Sequence, residues 1–290
     1  MKFIYLADTH IGGADNSGYH QQPRFIAQLY VLIDTLSEYL RDNPDISFVA
    51  HGGDLLEEVT IENIKTAQEM FTRLPCPVYL ALGNHDMTVP GSIKLWLEYA
   101  PEFFPGNDIN FSIHEKDVTL DFFCCNWGPV PYFWNPSIEQ IPWLAPKEML
   151  RLEWKDMKTK NRIAIMHSPI FGLPPEQTGM NTPLHPPAEN FTHAILDAID
   201  GTNIRLVLGA HNHMNMNILY RRTHFVTTSA FIEIPFEFKV VDAASDKVTM
   251  ITISLNRTTG LPLNYDFNKT FVQGRLCDRA FSDDFQASME

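Results

Sequence analysis

Five short apolar runs, each followed within a few residues by metal-ligand chemistry, restrict this chain more than any other feature of its sequence. Phe3-Ile4-Tyr5-Leu6-Ala7 precedes Asp8 and His10, and Ile46-Ser47-Phe48-Val49-Ala50 precedes His51-Gly52-Gly53-Asp54. Pro77-Val78-Tyr79-Leu80-Ala81-Leu82 precedes Gly83-Asn84-His85-Asp86. Ile163-Ala164-Ile165-Met166 precedes His167, and Ile204-Arg205-Leu206-Val207-Leu208 precedes His211 and His213. Apolar runs of this length read as strands buried on both faces, the pattern of a parallel sheet covered by helices. Ligands of such sheets bind beyond the carboxyl ends of the strands. Any one of these residues alone reads as a surface or satisfied core group; together, at matching strand ends, they read as one site.

The intervening segments fit the same plan. Phe25, Leu29, Leu32, Leu36 and Leu40 step by three or four, which predicts an amphipathic helix from Arg24 to about Arg41, ended by Pro44. Ile64, Ala67 and Phe71 predict a second helix over about 62–73, closed by Pro75 and Pro77. Later elements are a short helix holding Ile93, Trp96 and Leu97, a strand over Val118–Cys125, and a helix whose Leu150, Trp154 and Met157 are expected core contacts. A helix over about 188–199 leads to the strand before His211. Beyond His213, strands over 217–221, 224–229, 236–241 and 248–254 predict hairpins in a second, largely antiparallel sheet. Residues 1–255 are expected to form the catalytic domain, and 256–290 an irregular C-terminal extension of it.

With 290 residues and 44% hydrophobic content the chain can bury one sizeable core. Its formal charge of −13 argues against extended nucleic-acid binding, which rests on rows of Lys and Arg facing phosphates. The densest basic stretch, Lys155, Lys158, Lys160 and Arg162, is expected to be the solvated face and end of a helix. A strand begins at the first residues without a charged leader, and no apolar segment reaches the roughly 18 residues of a membrane span. A soluble, cytoplasmic protein without a membrane partner is therefore expected. Cys76, Cys124, Cys125 and Cys277 have the spacing of neither a zinc knuckle nor a disulfide framework and read as reduced thiols.

Asp8, His10, Asp54, Asn84, His167, His211 and His213 combine carboxylates, an amide and imidazoles without a thiolate, a donor set suited to Mn, Fe, Zn, Co or Ni. It is larger than one open catalytic metal uses, so two ions sharing a bridging ligand are expected, about 3.5–4 Å apart. Asp54, a carboxylate carried on a glycine turn, is the natural bridge.

Asp8-Thr9-His10, Gly53-Asp54, Gly83-Asn84-His85-Asp86, His167 and Gly209-Ala210-His211-Asn212-His213 together resemble the calcineurin-like metallophosphoesterases, in that family's order and across most of the chain. The resemblance implies an α/β fold: a four-layer αββα sandwich of two mixed β-sheets flanked by helices, with two divalent or trivalent transition-metal ions, Mn, Fe or Zn, at the strand ends. It places Asp8, His10, Asp54 and His213 on one ion and Asp54, Asn84, His167 and His211 on the other. It gives His85 the catalytic role of offsetting charge on the phosphoryl and leaving oxygens, with Asp86 as its expected orienter. Ala210 stands where the family usually has glycine, which bears on local loop geometry.

Within that family the chain resembles the small bacterial phosphodiesterases that act on cyclic nucleotides and glycerophosphodiesters, through Phe231-Ile232-Glu233-Ile234-Pro235-Phe236-Glu237-Phe238. The expected partner is a small-molecule phosphodiester. A DNA repair exonuclease of the same superfamily shares the opening motif, but the acidic charge and the lack of a clear appended capping domain count against it. A phosphomonoesterase is a third reading. A protein-binding scaffold without turnover is disfavoured because every expected ligand position, and His85, is occupied. Association into a homo-oligomer is left open. The segments 12–22, 128–136 and 172–187 are expected to set specificity; His20, His51, His114, His185, His193 and His224 are left unassigned, and His20 and His185, in loops near the expected mouth, are read as non-catalytic.

Overall fold

The computed structural model describes residues 1–15, 21–154, 160–261 and 265–285. Its strands are β1 (Lys2–Leu6), β2 (Phe48–His51), β3 (Val78–Leu80), β4 (Ser112–Glu115), β5 (Val118–Phe123), β6 (Asn126–Trp127), β7 (Pro142–Trp143), β8 (Asn161–Met166), β9 (Ile204–Gly209), β10 (Met216–Tyr220), β11 (Thr223–Thr227), β12 (Glu237–Ala243), β13 (Lys247–Ser254) and β14 (Ala280–Asp284). Its helices are α1 (Leu29–Asp42), α2 (Ile61–Phe71), α3 (Ser92–Tyr99), α4 (Pro146–Glu153), α5 (Pro175–Thr178), α6 (Glu189–Ile199) and α7 (Leu276–Arg279). The strands form two six-stranded mixed sheets, ordered β14-β13-β12-β1-β2-β3 and β10-β11-β9-β8-β5-β4, and a small β6-β7 pair. With helices flanking the two sheets, this is the expected sandwich.

Alternation along the strands divides the core. Ile163, Ile165, Leu206, Leu208, Leu120 and Phe122 enter the large cluster that also holds β1, β2 and the buried faces of α1, α2 and α3. Ala164, Met166, Val207 and Phe123 point the other way, onto Leu152 of α4 and Phe191 and Ile195 of α6. A strand coated on both faces has no room for polar alternation, which is why these segments are apolar throughout. The parallel register then aligns the carboxyl ends: Leu6 pairs with His51, and His51 with Leu80. In the other sheet Phe123 pairs with Met166, and Ile165 with Leu208.

Several expectations need correction. The strands after His213 do not make one sheet: β10 and β11 join the second sheet, whereas β12 and β13 run antiparallel beside β1 in the first. The extension 256–290 is not irregular throughout, since β14 pairs antiparallel with β13 and closes the first sheet. Leu150 and Trp154 are 68% and 57% exposed, so they are not core contacts; α4 ends at Glu153 and buries Leu152 and Glu148 instead. Met157, Lys155 and Lys158 lie outside the described residues. Arg162 belongs to no solvated helix: it is buried in β8, where its Nε and Nη2 donate to Asp121 Oδ2 at 3.0 and 2.7 Å. Among the described residues no helix is long and apolar enough to cross a membrane.

Candidate metal centre

The loops that leave β1 and β2 stay zipped together past the sheet. Asp8 N donates to Gly53 O at 3.0 Å, and Thr9 N and His10 N both donate to Asp54 O at 3.0 and 3.1 Å. A β-carbon on Gly83 would collide with Asp54 Oδ1, and one on Gly53 would lie 2.6 Å from His167 Nδ1. Glycine at those two positions lets the three loops meet. Asp86 completes the junction by accepting from Leu55 N, Leu56 N and Gly83 N at 3.3, 3.0 and 2.9 Å. Asp8, His10, Asp54, His211 and His213 all have left-handed backbone, with φ of 57, 48, 51, 68 and 57°. Non-glycine residues adopt that region rarely and at a cost, and such residues gather at functional sites.

Among the described residues three groups of donors result, the third being His10, Glu57 and His85. Asp8, His10 and His213 bring ligand atoms within 4.8 Å of one another, as do Asp54, His167 and His211. Asn84 joins the second group, its Oδ1 3.0 Å from His211 Nδ1. Asp8, His10 and His213 thus gather on one side and Asp54, Asn84, His167 and His211 on the other, with His167 Nε2 3.2 Å from Asp54 Oδ2.

The protonation pattern has a gap that a cation fits. His213 Nδ1 lies 2.8 Å from Glu233 Oε1, and His10 Nδ1 lies 3.0 Å from Glu57 Oε2. Glu233 claims the His213 Nδ1 proton and Glu57 is the acidic group beside His10 Nδ1, which leaves the two Nε2 atoms, 3.2 Å apart, as the ring nitrogens for a metal. Both oxygens of Asp8 are buried without a hydrogen-bond partner among the described residues. Burial pushes the Asp8 carboxyl well above its ordinary range and drives the His10 imidazole down to about 4 and those of His211 and His213 to about 3. Neutral imidazoles and a carboxylate starved of donors are what a bound metal ion requires. In the second group burial opposes ionisation, but Asp54 outweighs it at His167, which is raised to about 9, while His167 and His85 hold Asp54 well below the carboxylate range. The His167 proton there occupies the place of a positive charge. These residues fit two metal ions.

His85 stands beside the first two groups. Its Nδ1 lies 2.7 Å from Glu57 O, which can only accept, so that nitrogen carries a proton. Its ring meets His10 edge-on at 5.0 Å and packs on Trp134 at 4.6 Å. Trp127 packs on His211 at 5.3 Å. Beside His211 and His213 opens a cavity of about 560 Å³.

The calcineurin-like phosphoesterase family model matches residues 1–215 of the 290. The chain belongs to that family. No curated protein matches it. Among solved structures, a purple acid phosphatase from yellow lupin seeds is similar at a TM-score of 0.57 and 13% identity, over 97% of this chain and 53% of that one. GAP50, described as the anchor in the inner membrane complex of Plasmodium, is similar at 0.56 and 12%, over 88% of this chain and 84% of that one. The protein TT1561 of Thermus thermophilus is similar at 0.53 and 12%, over 88% of this chain and 98% of that one. This chain therefore spans about half the length of the lupin phosphatase.

Against this phosphoesterase frame one assigned role changes. Asp86 does not orient His85; its oxygens are taken by the three backbone N–H groups of the loop junction, and Glu57 O holds the His85 ring. Ala210 is buried and absent from the left-handed residues, so its methyl is accommodated. His51 is structural: its Nδ1 accepts from Gly53 N at 3.2 Å and its Nε2 meets Thr9 Oγ1 at 3.2 Å. His20 lies outside the described residues. Glu57, Glu233 and Trp134 went unnoticed as contributors. Glu233 had a visible signal, a carboxylate inside the apolar run Ala230–Phe236; Glu57, in a loop after β2, had none.

Proposed function

We propose that this phosphoesterase hydrolyses a small phosphodiester, a cyclic nucleotide or glycerophosphodiester-like molecule, with Asp8, His10, Asp54 and His213 holding one ion and Asp54, Asn84, His167 and His211 the other. The observation that carries the reading is the pair of converging donor groups with proton-bearing His85 at their side. Two transition-metal ions, Mn, Fe or Zn, would supply Lewis acidity toward the phosphoryl oxygens and an activated water. The protein does the rest. Glu57 and Glu233 fix the rings of His10 and His213, Asp54 accepts from His85 N at 2.9 Å and so ties the two loops, and Trp134 covers one face of His85. As water oxygen bonds to phosphorus, the ester P–O bond breaks and its electron pair stays on the alcohol oxygen. His85 offsets charge there by hydrogen bonding or by yielding a proton. The cavity beside His211 supports a diester over a monoester, because a second ester arm needs room that a bare phosphoryl oxygen does not. A location in the cytoplasm belongs to the same proposal.

The test is hydrolysis of bis-p-nitrophenyl phosphate beside p-nitrophenyl phosphate, on metal-stripped protein with and without Mn²⁺. Metal-dependent, faster cleavage of the diester is expected. Preference for the monoester makes the protein a phosphatase, and no turnover by fully metallated protein overturns the hydrolase reading in favour of a scaffold.

A further inference from the structure

The cavity that opens beside His211 and His213 is not shaped for phosphate. About 560 Å³ is the size of a pocket for a whole organic molecule. Trp127, Ile141, Pro142, Pro169, Pro186 and Pro187 give it an apolar side that makes up about half of the wall, and uncharged polar groups such as Gln140 and Asn212 share the rest. No Lys or Arg is among its described lining residues, and its one carboxylate is Glu139.

The walls are built. On one side β6 and β7 pair, Asn126 with Trp143 and Trp127 with Pro142, and Trp143 Nε1 donates to Gly128 O at 2.7 Å. On the other, Leu173 and Leu184 exchange backbone hydrogen bonds of 2.9 and 3.0 Å. A β-carbon on Gly172 would lie 2.8 Å from Leu184 O, so the loop closes on itself. It carries His185, at φ 50°, to the cavity wall.

We propose that this cavity receives the second alcohol arm of the phosphoester, and that it selects an arm that is uncharged and apolar-faced and rejects one bearing a further phosphate or carboxylate. The inference rests on the phosphodiesterase reading above. The apolar side of the wall desolvates an arm, which is favourable for carbon and unfavourable for an anion that meets no Lys or Arg there. Glu139 adds like-charge repulsion, and the −13 net charge of the chain reinforces it. Polyphosphates and nucleic-acid strands, whose arms carry more phosphate, are excluded by the same walls.

The matched pair of phenyl p-nitrophenyl phosphate and 4-carboxyphenyl p-nitrophenyl phosphate tests this on the Mn²⁺-loaded protein, since the two differ by one remote charge. The neutral diester is expected to have the higher kcat/KM, by about tenfold at low salt, with the gap narrowing as salt screens it. Glu139→Gln should reduce the preference about threefold, the scale of one solvent-exposed charge pair. Ile141→Lys should narrow the preference further or reverse it. Equal kcat/KM for the two diesters, or preference for the carboxylate, in the wild-type protein overturns this inference and leaves the hydrolase reading intact. Hydrolysis of neither by metallated protein overturns both.

Discussion

Two clusters of buried polar side chains share the segment from His211 to Asn215, and they differ in how their hydrogen bonds close. On the far side of Asn215, Glu237 accepts from Asn215 Nδ2 at 2.6 Å, from Ser229 Oγ at 3.0 Å and from Arg279, while Lys239 Nζ donates to Asn215 Oδ1 at 2.8 Å and Thr252 Oγ1 at 3.1 Å. Donors and acceptors match, and both charges meet partners. On the near side, neither Asp8 oxygen has a close hydrogen-bond partner among the described residues, His213 Nε2 lying 3.6 Å away, and the His10 and His213 Nε2 atoms are 3.2 Å apart. Native interiors pair their buried polar groups, so one cluster is complete and the other needs a cation to become so. Burial and charge alone would have ranked them together. What separates a structural cluster from a metal site is the balance of protons.

The largest effect is expected from taking an acceptor out of the incomplete cluster, which lowers its hold on a cation. Asp54→Ala removes the carboxylate nearest His167, so the protein should lose bound metal and, with it, turnover. Metal content after dialysis, read by mass spectrometry, checks this; full stoichiometry would remove Asp54 from its shared position. His85→Ala sharpens the same comparison from the other direction. It should keep both ions yet lose roughly 10²–10⁴ in kcat, the range of a proton-transfer group. Metal loss in that variant would make His85 part of the metal shell instead.

The two clusters were not equally legible in the sequence. Asp8, His10, Asp54, Asn84, His167, His211 and His213 each follow an apolar run, and parallel register turns that one-dimensional pattern into a three-dimensional edge. Glu57 and Glu233 escape it because what they contribute depends on how their loops fold back on His10 and His213, which no local pattern shows. The other cluster escapes more completely. Its Arg279 and Asp278 come from the segment expected to be irregular, where α7 and β14 dock on partners offered by Asn217, Glu237 and Lys239. The stripe Leu150–Trp154–Met157 misled for a related reason: the helical period continues past Glu153, but α4 stops there and Arg162 collects its end carbonyls from within β8.

The completed cluster should answer to stability and not to metal. Arg279→Leu leaves Glu237 buried with two neutral donors and no cation. Because the Arg279 side chain is 26% exposed, the loss is expected at about 2 kcal/mol, below the cost of breaking a fully buried pair. Urea denaturation reads it, and metal stoichiometry should not change. If Arg279→Leu releases metal at native stability, the two clusters are not independent, and the tail is a support of His213 through Asn215.

Lys239 gives the smallest effect over one pH unit, and the most direct reading of how complete its cluster is. Burial drives its ammonium from the ordinary 10.5 down to about 7, with Glu237 opposing the shift. Between those values the unfolded chain holds a proton that the folded chain lacks, so stability should rise with pH across that window, by no more than about 1.4 kcal/mol per unit. Lys239→Met, of similar length and without a charge, removes that proton from both states and should flatten the slope between pH 7.5 and 9.5. A slope unchanged in Lys239→Met would mean that Lys239 stays protonated in the folded protein, that Glu237 and Asn215 fully compensate its burial, and that this cluster is closed even more tightly than its hydrogen bonds alone require.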